Sequence, residues 1–196
     1  ADLNTLLAGV SFVPTANSSA PVTLAVLIND GVATPLTGSK TLTGTPVNDP
    51  PSPGGATTAQ TNEDVPASLA LTAGDIDSAL LGVGLSADHG TLTLPTIAGL
   101  AFTTGDGTAD TTMAFNGTQA SINAALAGVT FAPPADYNGA AVVTYGLSDG
   151  EAPPQSRLIA VTINAVADTV ADTIAVAEDG SAVFNVLTGS GGASAD

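Results

Sequence analysis

The chain has 196 residues, of which 18 are acidic and only two basic (Lys40 and Arg157), giving a formal charge of −16 with 44% hydrophobic residues and no cysteine. Phosphate binding needs clustered Lys and Arg, so nucleic acid is excluded as a partner and insertion into or docking on an anionic membrane is disfavoured. The sequence is too apolar for a disordered acidic tail, and the lack of cysteine removes disulfide frames, thiol catalysis and cysteine-ligated zinc.

From the N-terminus, Ala1 to Asp49 aligns without a gap on Ala120 to Asp168, a constant offset of 119 residues. Leu7-Ala8-Gly9-Val10 recurs as Leu126-Ala127-Gly128-Val129, Phe12 as Phe131, Pro14 as Pro133, and Asp30-Gly31 as Asp149-Gly150. Val47 and Asp49 recur as Val166 and Asp168. A repeat of this length is one whole domain, so the chain reads as a stretch of a tandem array. Residues 1–48 are the back part of a first module and residues 49–168 a complete one. Residues 169–196 are the front part of a third, because Glu178-Asp179-Gly180 echoes Glu63-Asp64-Val65. Each partial module, standing alone, is expected to expose core-facing residues.

Next along the chain, Pro46 to Gly55 reads as a stiff, proline-rich linker. Short segments of alternating apolar residues follow, separated by Gly, Asp, Asn and Pro. They predict strands near Ala56 to Thr61, Ala67 to Thr72, Leu81 to Ser86, Thr91 to Leu94, Thr112 to Asn116, Gly128 to Phe131, Ala141 to Leu147 and Leu158 to Asn164. The fold expected is all-β, an antiparallel β-sandwich. Gly99 to Asp110 reads as a long loop. Thr118 to Ala127 breaks the pattern: Ile122, Ala125 and Leu126 fall at helical spacing, with Thr118 as a cap and Gly128 beyond the end, predicting one short crossover helix per module. Its copy is Asp2 to Ala8.

Fifteen of the acidic residues are Asp, which suits turns and short-armed cation ligation. Tracing strand reversals sorts them to two ends. Asp75 and Asp77 return to the end where the chain enters the module, beside Asn48-Asp49, and Asp149 joins them. Glu63 and Asp64 lie at the other end with Asp136, where the last strand finishes at Asp168. Two carboxylates about 4 Å apart repel by about 4 kcal/mol at an effective dielectric near 20, so a bound cation is the simple remedy. Flexible oxygen ligands favour Ca²⁺ over Mg²⁺. The expected metal ligands are Asp49, Glu63, Asp64, Asp75, Asp77, Asp136, Asp149 and Asp168. Taken singly, each aspartate reads first as an ordinary turn residue or strand-end cap; it is the clusters taken together that favour a cation. The one histidine, His89, sits in an Asp-His-Gly turn and reads as inert.

The ordered phrases Val47-Asn48-Asp49, Asn62-Glu63-Asp64-Val65-Pro66, Gly74-Asp75-Ile76-Asp77, His89-Gly90-Thr91-Leu92-Thr93-Leu94, Ile122 to Phe131, Asp136-Tyr137-Asn138-Gly139 and Ser148-Asp149-Gly150 resemble the cadherin-like or bacterial immunoglobulin-like repeats of large type I-secreted, RTX-type adhesins. The resemblance implies immunoglobulin/cadherin-like modules in tandem, Ca²⁺ at the junctions, a rod-like array and a bacterial cell-surface location. Two positions depart from the pattern: Asn17 stands where the complete module has Asp136, and Ala167 where the first junction has Asn48.

The function expected is a non-catalytic, calcium-stiffened spacer, partnered by neighbouring modules or copies of itself. Catalysis has little to work with: one histidine, no cysteine, no nucleophile elbow and no phosphate loop. Two other readings stand beside it. One is a self-assembling filament or sheath completed by strand donation between copies. The other is a module recognising surface glycans through Tyr137, Tyr145 or the Gly99 to Asp110 loop, though aromatic residues are only 4%.

Overall fold

The computed structural model describes residues 3–167 and 178–181. Asp168 and almost all of the expected third module lie outside the described residues. The chain divides into two compact units, Ala1–Asp49 and Pro50–Asp196. No helix among the described residues is long and apolar enough to cross a membrane.

The first unit holds a short helix, α1 (Leu3–Leu7), and a hairpin of β1 (Val22–Ile28) and β2 (Leu36–Leu42). The hairpin runs in register from Val22 opposite Leu42 to Ile28 opposite Leu36. Asp30 shapes its turn: Oδ1 accepts the backbone N–H groups of Val32 (3.0 Å) and Ala33 (2.8 Å), while Gly31 takes φ 81°. That pairing of a local carboxylate acceptor with a left-handed glycine is the chemistry a turn demands.

In the second unit the strands are β3 (Ser52–Gly55), β4 (Thr58–Asn62), β5 (Ala67–Leu69), β6 (Leu71–Gly74), β7 (Leu80–Ala87), β8 (Thr91–Thr93), β9 (Leu100–Thr104) and β10 (Thr112–Thr118). Helix α2 (Gln119–Leu126) follows, then β11 (Val129–Ala132), β12 (Gly139–Ser148) and β13 (Gln155–Asn164). One layer is a sheet ordered β4-β13-β12-β7-β10-β9; the other consists of β5-β11-β8 and the pair β3-β6. All pairings are antiparallel except β4 with β13. This is an immunoglobulin-like β-sandwich.

Alternate residues of the strands supply the core, as the period of two requires. Leu81, Val83 and Leu85 of β7, Phe115 of β10, and Val143, Tyr145 and Leu147 of β12 are buried from the large sheet. Against them lie Leu69, Leu71, Leu92 and Phe131, with Ile122, Ala125 and Leu126 of α2. Each such aliphatic side chain is stabilised by roughly 1.5–3 kcal/mol through burial.

Thr118 caps α2 by accepting the Ser121 N–H at 3.1 Å. The helix crosses from one layer to the other and is fastened by Asn123. That amide accepts the Ala73 N–H and donates to the Ala73 carbonyl, both at 2.8 Å. The C-cap is Ala127 in right-handed conformation, so Gly128 is not a left-handed terminator.

Three local expectations change. The linker ends sooner than its composition suggests, because Ser52–Gly55 is an edge strand on β6, a position that tolerates Pro53. The segment read as one strand from Ala67 to Thr72 is two. Ala70 between them accepts the Ala56 N–H at 2.9 Å, so β5 pairs with β11 and β6 with β3. Gly55, at φ 99°, makes the matching corner, and a Cβ there would stand 2.3 Å from the Ala70 oxygen. Finally, the first part of the Gly99 to Asp110 loop, Leu100–Thr104, is the edge strand β9.

Candidate functional site

The ends of the complete module follow from strand register. Ser52 faces Gly74, and Gly82 faces Ser148. The turns after β6 and β12, which carry Asp75, Asp77 and Asp149, therefore share the inlet end, where the chain begins β3. Asn62 lies beside Asn164, and Gly139 beside Ile163. The turns carrying Glu63, Asp64 and Asp136 therefore share the outlet end, where β13 leaves.

At the outlet the turn after β4 is built by two bonds. Thr61 Oγ1 donates to the Val65 carbonyl at 2.6 Å, and the Val65 N–H donates to Asn62 at 3.2 Å. Asp64 sits in the left-handed region at φ 60°, as does Asp136 at φ 55°, a conformation Asp tolerates better than most residues. Their turns meet: the Asp136 N–H donates to Asp64 Oδ1 at 3.3 Å. Glu63 is 6% exposed. Its carboxylate accepts the backbone N–H of Val166 and, at 3.4 Å, Nδ2 of Asn138. A buried carboxylate needs such donors, and these tie three segments together.

His89 and Tyr137 complete this end, stacked with ring centroids 4.7 Å apart and planes 9° from parallel. The Tyr137 hydroxyl donates to Ala140 at 2.8 Å. Asp88 accepts the Val142 N–H at 2.7 Å and lies 3.3 Å from His89 Nδ1. The Val142 amide holds the Asp88 carboxyl below the usual carboxylate range, with His89 assisting. No short-range pattern marks this stack, because its two rings come from separate turns.

At the inlet Asp75 Oδ1 accepts the N–H groups of Asp77 (2.9 Å) and Ser78 (2.7 Å). Asp75 Oδ2 is buried and meets no donor among the described residues. Asp149 Oδ1 accepts from Glu151 (3.0 Å) and Ala152 (2.9 Å), and Gly150 takes φ 85°. This turn repeats the one at Asp30. Asp49 is the last residue of the first unit. Among the described residues no three His, Asp or Glu side chains converge to hold a metal ion. Much of the carboxylate capacity at the inlet is spent on local backbone amides.

The remaining acidic loop has the same character. Asp110 Oδ2 accepts the N–H groups of Asp106 (3.0 Å) and Gly107 (2.8 Å), organising the β9–β10 connection from within. Tyr145 is fully buried, with its hydroxyl donating to the Thr72 carbonyl at 3.0 Å. It therefore cannot contact a glycan. A shallow recess of about 310 Å³ on the large sheet is lined by glycines and by Thr103, Asn116, Ser148 and Pro154, with no acid, base or cation in its walls.

No protein-family model matches the chain, and no curated protein matches it. Among solved structures it is similar to the cohesin module from Clostridium perfringens ATCC13124 family 33 glycoside hydrolase, at 11% identity and a TM-score of 0.34, over 61% of this chain and 100% of that one. It is also similar to the ASH/PapD-like domain of human CEP192, at 8% identity and a TM-score of 0.30, over 60% of this chain and 87% of that one.

Proposed function

We propose that the chain is a stretch of a non-catalytic tandem array, acting as a calcium-stiffened spacer in a bacterial cell-surface adhesin or extracellular fibre. The observation that carries this reading is the duplicated hairpin. Val22 opposite Leu42 recurs as Ala141 opposite Val161, and the Asp30-Gly31 turn recurs at Asp149-Gly150 with the same acceptor pattern and the same sign of φ. Repetition of scaffold and turns, rather than of a reactive constellation, is what a mechanical array requires.

Calcium is proposed for both ends of the module. Asp64 and Asp136, with Glu63 behind them, are the outlet candidates; Asp75, Asp77 and Asp149 are the inlet candidates. Asp49 and Asp168, equivalent positions in successive copies, are the remaining expected ligands. The buried Asp75 Oδ2 without a donor supports the fit, since such an oxygen gains from a cation. A bound Ca²⁺ supplies charge neutralisation and a rigid cross-tie between turns. The residues themselves orient those turns through the amide bonds described above.

Small-angle scattering of the intact chain tests this reading. Ca²⁺ is expected to narrow the range of shapes to one elongated profile, and a chelator to broaden it. Identical profiles in the two conditions would refute stiffening by the metal.

A further inference from the structure

Asn-Gly pairs occur in the chain at Asn116-Gly117 and Asn138-Gly139. In such a pair the backbone nitrogen of the glycine can attack the side-chain carbon Cγ of the asparagine, because no Cβ on the glycine shields that nitrogen. The new N–Cγ bond closes a succinimide ring, and the side-chain nitrogen leaves as ammonia. Water then opens the ring at either carbonyl. The product is aspartate, or isoaspartate in which the main chain runs through the side-chain carbonyl. A water is consumed for each ammonia released, and nothing is oxidised or reduced.

Ring closure requires the glycine nitrogen to swing toward Cγ, and the fold treats the two pairs oppositely. Asn116 and Gly117 lie inside β10, which is paired on both sides. Asn116 faces Gly82 of β7 and Ala101 of β9, and Gly117 faces Leu81 and Leu100. Gly117 is buried, and a Cβ there would stand 2.9 Å from Leu100 and 3.1 Å from the Gly99 oxygen. Its nitrogen cannot swing without breaking the large sheet. Asn138 ends the turn between β11 and β12, and both it and Gly139 are exposed. Gly139 opens β12 at φ 136°, a conformation suited to glycine. It faces Ile163 of β13, whereas β7 joins β12 only from Val143 onward. A turn at the end of a strand opens far more readily than a strand held from both sides.

The Asn138 side chain has a structural task. Its Nδ2 donates to Glu63 Oε2 at 3.4 Å, and the same carboxylate, 6% exposed, accepts the Val166 N–H. Replacing the amide by a carboxylate removes that donor and sets a second negative charge against a buried one. The first module has Ser19-Ala20 at these positions and so lacks the chemistry.

We propose that Asn138 is a site of spontaneous deamidation, and that its conversion to aspartate or isoaspartate loosens the hold of Glu63 on the exit segment at Val166. A slow covalent change thus falls at the outlet end of the module, beside Asp64 and Asp136. The inference rests neither on calcium nor on the tandem array.

Ageing the intact chain in warm, mildly alkaline buffer and mapping its peptides by mass spectrometry tests the site. In the native protein Asn138 is expected to convert at least about tenfold faster than Asn116, because one pair lies in a turn and the other in a ladder. In urea, with the fold removed, the two pairs should convert at similar rates. An isoaspartate-specific methyltransferase should label the aged peptide that holds position 138. The consequence is read separately in Asn138→Asp, which carries the aspartate product from the start. Amide exchange at Val166 should be faster in that variant by about tenfold. Equal conversion of the two pairs in the native protein would overturn the proposal. So would an unconverted native Asn138 after the urea-unfolded chain has reacted fully, or unchanged exchange at Val166 in Asn138→Asp.

Discussion

The buried carboxylate of Glu63 accepts the backbone N–H of Val166, so the turn that follows β4 holds the segment by which the chain leaves the module. Glu63→Ala strips an acceptor from this N–H and from the Asn138 amide. The expected loss is about 1–3 kcal/mol, the usual cost of a buried polar group left unpaired. Glu63→Gln keeps one oxygen and should lose less. Urea midpoints at constant slope measure both, and amide exchange at Val166 should accelerate in the alanine variant.

Tyr145 links stability to alkaline pH. Burial pushes its phenol well above the ordinary value of 10.0, against a smaller opposing pull from Arg157. The folded state thus keeps the proton that the unfolded chain releases. The contribution is fully present below pH 10.0 and is lost progressively as pH rises above it. Tyr145→Phe should cost about 0.5–1.5 kcal/mol at neutral pH through the lost bond to Thr72. It should also flatten the decline between pH 10 and 12, measured by denaturant unfolding at stepped pH; parallel curves for the two proteins would contradict this.

Arg157 clamps the edge strand β3. Its Nε donates to Pro53 at 3.1 Å and its Nη1 to Gly55 at 2.9 Å. A lysine cannot reproduce that fork. Arg157→Lys should cost about 1 kcal/mol and speed amide exchange in Ser52–Gly55 and its partner β6 while leaving β12 protected. Equal acceleration across the sandwich would show that the clamp is not local.

Most of the sandwich is legible because its inward residues alternate without interruption in β7, β10, β12 and β13. The helix is legible because Ile122, Ala125 and Leu126 keep helical spacing after a Thr118 cap. What is not legible depends on contacts distant in sequence. Ala70 divides a continuous apolar run because Ala56 reaches its carbonyl, and Pro53-Gly54 has no strand signature until β6 lies beside it. Edge strand β9 is short and mostly exposed, so its pattern is faint. At the site, the grouping of Glu63, Asp64 and Asp136 follows from counting strand reversals. The fastening of Glu63 to Val166 and the stacking of His89 on Tyr137 do not, since side-chain partners across turns leave no periodic trace.

Thermal unfolding of the intact chain with Ca²⁺ titrated against a chelator tests the spacer reading most directly. At a Ca²⁺ concentration about 100 times the dissociation constant, linkage gives about 2.7 kcal/mol, a rise in midpoint on the order of 5–10 °C for a chain of this size. The rise should saturate, shrink in Asp64→Asn/Asp136→Asn and Asp75→Asn variants, and fail with Mg²⁺. A midpoint that does not move between chelator and excess Ca²⁺ would contradict calcium stiffening.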